Sequence, residues 1–379
     1  MFDKRITLFK LLDFEVRIDA SWVIIAVFIT WSLAYGLFPY YYKGLPAHTY
    51  WLMGAAGALG LFMSIIFHEL CHSIVARKNN LQMRGITLFI FGGVAEMSGE
   101  PPDARTEFLM AIAGPLSSVF IGGVFYFVYM MGEEAMLPVS VNGVISYLAY
   151  INWILAAFNM LPAFPLDGGR VLRAALWRWK GSLSWATRVA SRIGSLFGIF
   201  LIFSGILNVL SGNLLGGIWW FLIGLFLRDA SQTSYQSVMT HKALEGEKVE
   251  DLMKTAPVTA PSSISIKEFV EEYVYKYHLK MFPVIDNGKL TGCITTGEIK
   301  GTPREEWGRR TVHEIMSTCT VENTIGPDVD AAKALAAMNR TGNNRLMVVK
   351  DGSLVGVISL KDILWFLSAK MDLEGDKKR

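Results

Sequence analysis

WLMGAAGALGLFMSIIFHELCHSIVA, residues 51–76, opens as an uncharged apolar run and continues without a break into His68, Glu69 and His72. A membrane-crossing helix needs about 20 mostly apolar residues, and this run is of that kind. Residues four apart share a helix face. His68 and His72 can therefore bind one zinc ion together, with Glu69 between them placed to take a proton from water. Burying Glu69 in hydrocarbon is costly, and an ionisable residue at that depth marks a functional position. On this stretch alone a plainer alternative stays open, a charged helix end at the membrane surface.

The rest of the first half supports a membrane setting. Of 379 residues, 52% are hydrophobic and 18% charged, and soluble domains carry about 25% charged residues. Mean hydropathy is +0.36. Further uncharged runs lie at 20–42, 108–132, 137–166 and 193–227. The last is too long for one crossing, and Ser211, Gly212 and Asn213 at its middle turn the chain, giving six spans in all. Loops rich and poor in Lys or Arg alternate: Lys4, Arg5, Lys10 and Arg17 precede the first span, the loop after it has only Lys43, and Arg170 to Arg192 follow the fourth. By the positive-inside rule both termini are cytoplasmic. Residues 83–102, MRGITLFIFGGVAEMSGEPP, are β-branched, aromatic and broken by Gly92 and Gly93. They read as a short hairpin over 84–98, tolerated at membrane depth only where protein or a cavity surrounds it.

Cys71, Cys293 and Cys319 are scattered and in no CxxC pair, which argues against a disulfide framework or a cysteine zinc site. The net charge of +3 does not suggest nucleic acid as a partner. The N-terminus mixes acids with bases and lacks an apolar h-region, so it does not read as a cleavable signal peptide.

Catalytic zinc usually takes three protein ligands. His48, His241, His278 and His313 lie in a far loop or the polar half, and are poor candidates. The conspicuous acid is Asp167, in NMLPAFPLDGGR, residues 159–170. Pro162 and Pro165 break the helix, and Gly168 and Gly169 keep the backbone open. By loop alternation Asp167 lies on the same side as His68 and His72. It is either the third ligand or the N-cap of a helix starting at Gly168. Asn159, on the helix before the break, can bond a substrate backbone or oxyanion, or a neighbouring helix.

Four motifs in order now carry a resemblance: His68-Glu69-Leu70-Cys71-His72, Phe91-Gly92-Gly93, Gly114-Pro115-Leu116-Ser117, and residues 159–169. Over roughly 15–230 the chain resembles the site-2 protease family of intramembrane metalloproteases. The resemblance implies one catalytic zinc held by His68, His72 and Asp167, with Glu69 as general base. It also implies single-span membrane proteins as substrates, cut within or near the bilayer. Ser118 departs from the family, which often has Asn there; that segment is expected to supply no ligand.

From about 235 the chain turns polar and repeats itself. Phe282-Pro-Val-Ile-Asp286 matches Leu346-Met-Val-Val-Lys350, and residues 290–299 match 354–363, both 64 positions on. Asp286-Asn-Gly and Lys350-Asp-Gly read as hairpin turns. This repeat resembles a tandem CBS pair, an α/β regulatory module that often binds adenine nucleotides (ATP, ADP or AMP) and commonly forms homodimers. The family's ribose pattern is matched by Ser359 and Asp362, and by Thr295 with Glu298 in place of Asp. The alternative is that both acids are first-turn residues favoured by the helix dipole.

The expected organisation is a mainly α polytopic membrane domain over 1–234, with six transmembrane helices and a membrane-embedded β-hairpin. CBS domains follow over 245–301 and 311–370, with a charged tail over 371–379. The expected function is intramembrane zinc proteolysis modulated by nucleotide, in an integral protein of a prokaryotic cell membrane. The rivals are a CBS-regulated transporter or channel, and an inactive scaffold that binds membrane helices.

Overall fold

The structure, a computed structural model, describes residues 5–375 except 13, 82, 90, 91, 98 and 99. The chain divides into two compact units, Met1–Val238 and Met239–Arg379.

The first unit opens with strands β1 (Arg5–Leu11) and β2 (Phe14–Asp19). Helix α1 (Ala20–Tyr41) and the long helix α2 (Ala47–Lys78) follow. Strands β3 (Met83–Phe89) and β4 (Gly92–Met97) come next. Then come α3 (Ala104–Glu134), α4 (Val139–Asn159), α5 (Asp167–Lys180), α6 (Leu183–Leu210) and α7 (Leu214–Leu244). Among the described residues five helices are long and apolar enough to cross a membrane: α1, α2, α3, α4 and α6. The protein is an integral membrane protein. The expected sixth span is the first part of α7, where the apolar stretch covers only residues 214–227 before Arg228 and Asp229. Fourteen residues of helix rise about 21 Å, short of the roughly 30 Å hydrocarbon core.

The expected turn at 211–213 is present, with Gly212 in the left-handed region at φ +89°. It folds α7 back along α6. A β-carbon at Gly205 would lie 2.7 Å from the Gly217 carbonyl, and one at Gly198 2.7 Å from that of Gly224. Two glycine pairs, each seven residues apart, thus let the helix backbones touch, as small residues do in membrane bundles. The expected span over 137–166 is shorter, ending at Asn159. Residues 160–166 form an irregular loop around Pro162 and Pro165, and α5 is a separate amphipathic helix.

The expected 84–98 hairpin is real between β3 and β4, but it belongs to a four-stranded sheet of order β1-β2-β3-β4. Phe91 of the hairpin motif lies outside the described residues. Phe14 and Ile86 pack on Leu70 and Ile74, and Val16 and Leu88 on Ile66. Ile66, Leu70 and Ile74 form one stripe of α2, and His68 and His72 lie two residues out of phase, on the other side of the helix. The sheet therefore grips the back of the helix that carries the histidines.

In the second unit the repeat recurs in each copy's hairpin. Strands β5 (Met281–Asp286) and β6 (Lys289–Thr295) pair as one hairpin, β7 (Arg345–Lys350) and β8 (Ser353–Ser359) as another. Asn287 and Gly288, and likewise Asp351 and Gly352, have φ between +50° and +77°, the type I′ geometry that Asn-Gly and Asp-Gly favour. Each hairpin slips register at the same place, between Val284 and Ile285 and between Val348 and Val349. The copies also exchange their entry segments: Lys254–Thr255 pairs with β8, and Ser317–Thr318 with β6. Neither sheet is complete without the other copy. Helix α8 (Ala331–Thr341) and helix α9 (Leu360–Gly375) cover the second sheet.

Candidate metal centre

His68 and His72 stand one turn apart on α2, and both rings turn Nε2 inward. The two nitrogens are 3.1 Å apart. Asp167, the first residue of α5, brings Oδ2 to 3.0 Å from His68 Nε2 and 3.2 Å from His72 Nε2. Leu166 occupies the N-cap position, so Asp167 is not the cap and its carboxylate turns to the histidines. The three side chains form a cluster that could hold a metal ion. Ligands about 2.05 Å from a tetrahedral zinc are separated by roughly 3.3 Å, so the observed triangle matches one face of that tetrahedron to a few tenths of an ångström.

The other ring nitrogens are committed. His68 Nδ1 lies 2.9 Å from Ser118 Oγ, and His72 Nδ1 2.6 Å from the Met110 carbonyl. A carbonyl only accepts, so His72 donates from Nδ1 and presents the Nε2 lone pair; the Ser118 hydroxyl can do the same for His68. Partners of this kind set the tautomer and ring orientation of histidine ligands. Both come from α3, as does Gly114. A β-carbon there would fall on His72 Nε2 and lie 2.6 Å from His68 Nε2. Met110, Gly114 and Ser118 are spaced by four, one face of one helix. This role of α3 is not legible in the sequence: Gly114 stands out only as part of a motif, Ser118 only as the departure that follows it, and Met110 acts through its backbone, which leaves no signal.

Glu69 follows His68 on α2, and β4 runs past it: a β-carbon at Gly93 would lie 2.8 Å from Glu69 Cγ. Asn159 closes α4, half-buried, with no side-chain hydrogen bond among the described residues. In the second unit Thr295 meets Glu298 and Ser359 meets Asp362, and both carboxylates are engaged locally. Glu298 accepts from the Thr295 backbone N–H at 2.8 Å and from Ser317 Oγ at 2.7 Å. Asp362 accepts from the Ser359 N–H at 3.0 Å and pairs with Lys254 at 3.3 Å. A cavity of about 540 Å³ adjoins Ser359, Lys280, Arg345 and Trp365. Another of about 280 Å³ adjoins Thr295, Glu298, Lys280 and Arg345.

The sequence profile of Peptidase family M50 matches residues 56–137 and 130–204, and that of the CBS domain matches 249–302 and 312–369. Zinc metalloprotease MJ0392 of Methanocaldococcus jannaschii is 31% identical over 96% of this chain and 96% of its own length. The chain belongs to the M50 site-2 protease family. Rip3 of Mycobacterium tuberculosis, itself only provisionally named a zinc metalloprotease, is 32% identical over 94% of this chain and 91% of its own. The solved site-2 protease from Methanocaldococcus jannaschii is 31% identical and covers 61% of this chain and 94% of its own, with a TM-score of 0.45. This M50 protein is accordingly a zinc metalloprotease with a C-terminal CBS pair.

Proposed function

We propose that this M50 protein hydrolyses peptide bonds of single-span membrane proteins at a zinc ion held by His68, His72 and Asp167. The observation that carries the reading is the convergence of two Nε2 atoms and one Oδ2 within 3.2 Å, with both Nδ1 atoms tied behind them. Zinc in such a site lowers the pKa of water and polarises a carbonyl. Glu69 takes the proton of the attacking water and returns it to the leaving amine. Asn159, unengaged at the end of α4, holds the substrate backbone or the developing oxyanion.

The substrate helix unwinds and adds as a strand to β4. Two observations support this: β4 is the edge of its sheet among the described residues, and it runs beside Glu69. Strand addition satisfies the backbone of an unwound segment where water is scarce. The glycine-paired antiparallel helices α6 and α7 support six crossings, and the basic loops support cytoplasmic termini. Water then reaches the metal from the cytoplasmic side, near Arg77 and Lys78 at the end of α2. Adenine nucleotides bind the CBS pair, their phosphates at Lys280 and Arg345, which adjoin both cavities. The Ser359–Asp362 and Thr295–Glu298 pairs contribute hydroxyls, and the module dimerises.

The test compares membrane-fragment proteomes of cells carrying wild type or Glu69→Gln, with zinc measured on the purified proteins. Expected are new fragments in wild type only, one zinc in both, and zinc lost in His68→Ala and Asp167→Asn. Identical fragment sets would leave the inactive-scaffold reading standing instead.

A further inference from the structure

The zinc chemistry leaves one buried ion pair unexplained. Glu107 is 0% exposed and Arg173 3% exposed. Arg173 Nε donates to Glu107 Oε1 at 2.5 Å, and an Nη of the same guanidinium closes on that oxygen. Arg173 also reaches Glu100 Oε2 at 3.2 Å and lies 5.0 Å over the ring of Phe164. Charges at such depth are expensive, and a well-packed apolar pair would serve stability as well or better. The pair is therefore placed for geometry.

Its position tells which geometry. Asp167 and Arg173 lie six residues apart on α5, about 9 Å of helix. Gly114 and Glu107 lie seven residues apart on α3, about 10.5 Å. Gly114 underlies the two Nε2 atoms, and Asp167 completes the triangle at the same level. So α5 and α3 run antiparallel and meet at two points two turns apart, the metal centre and the ion pair. The loop before Asp167 has no regular structure, and Arg173 also covers its Phe164. Arginine suits this task because its planar fork spans two carboxylates while its face meets a ring.

We propose that the Glu107–Arg173 pair is the positioning device that sets Asp167 against His68 and His72, by fixing α5 to the same helix that orients both imidazoles. The proposal rests on the zinc-site reading above. It predicts that Glu107→Gln and Arg173→Met weaken zinc binding by about 10- to 100-fold, the usual loss when a ligand's support is removed. Arg173→Lys should recover part of this.

The experiment measures zinc affinity by chelator competition, and the absorption spectrum of the cobalt-substituted full-length protein, in detergent. Glu107→Leu with Arg173→Met is the variant that separates geometry from folding. An apolar pair restores packing, so it should elute and unfold like wild type yet bind zinc weakly, with an altered cobalt spectrum. Wild-type affinity and spectrum in that double variant, or in Arg173→Met, would overturn the positioning role. Absence of stoichiometric zinc from the wild type would overturn the metal site itself, and the positioning role with it. Wild-type zinc lost in Asp167→Asn but kept in Arg173→Met would sink the positioning role alone.

Discussion

A β-carbon on residue 114 would fall on Nε2 of His72 and crowd that of His68. Stability does not favour the glycine, since alanine is better in a helix by about 0.5–1 kcal/mol. What favours it is the space the two nitrogens need to face an ion. Gly114→Ala is therefore expected to remain folded by thermal unfolding, because the displaced atoms are ring tips and the helix gains propensity, and to lose its zinc by elemental analysis. Retained zinc would show that the imidazoles can shift and that α3 does not template them. At this scale the ligands were legible because the helical repeat puts His68 and His72 on one face. Ser118 and Met110 were not, because a sequence period tells which residues share a face and not which helix that face meets.

Strand β4 carries the next claim. On an edge strand neighbouring residues turn their N–H groups alternately toward the partner and away from it, and proline removes one donor. Proline at Val94 and at Ala95, in separate variants, is expected to leave zinc content unchanged and to cut cleavage more than tenfold at the outward position. Full cleavage in both variants would rule out substrate pairing with β4. The hairpin was legible from Gly92 and Gly93, whereas β1 and β2 were not: Lys10, Glu15 and Arg17 interrupt their apolar pattern. Those charges pair across one face, Lys10 with Glu15 at 3.2 Å and Arg17 with Glu15 at 2.7 Å, while Phe14 and Val16 enter the core. In the CBS unit, burial would raise the Glu298 carboxyl, but bonds from Thr295 and Ser317 outweigh it and hold it below its ordinary value. A depressed carboxylate contributes stability above its unfolded value, about 4.3, and that stability is lost as pH falls through the folded value. Glu298→Gln should thus unfold at lower temperature than wild type at pH 7 and converge with it near pH 3. A gap that persists at pH 3 would point to packing rather than charge.

At the scale of the molecule, two signals of different kind made the architecture legible. Uncharged runs disclosed the membrane unit, since a helix that crosses hydrocarbon must be mostly apolar. A self-match at an offset of 64 positions disclosed the CBS pair down to its Asn-Gly and Asp-Gly turns. The number of crossings was less legible because α7 changes character partway along, apolar to residue 227 and polar beyond. The exchange of entry segments between the copies was invisible, since two-residue strands carry no period. That exchange makes the pair one body, so a ligand held between Lys280 of one copy and Arg345 of the other acts on both together. A ligand shifts an equilibrium only by its differential affinity for the two states. A difference of about 1.4 kcal/mol already changes the populations tenfold. ATP or AMP is therefore expected to change the cleavage rate of the full chain several-fold in reconstituted vesicles. A chain ending at Val238, the boundary between the units, should cleave at a rate that neither nucleotide alters. Equal responses in the two chains would place any nucleotide effect on the protease or its substrate, and the CBS pair would then have no part in control.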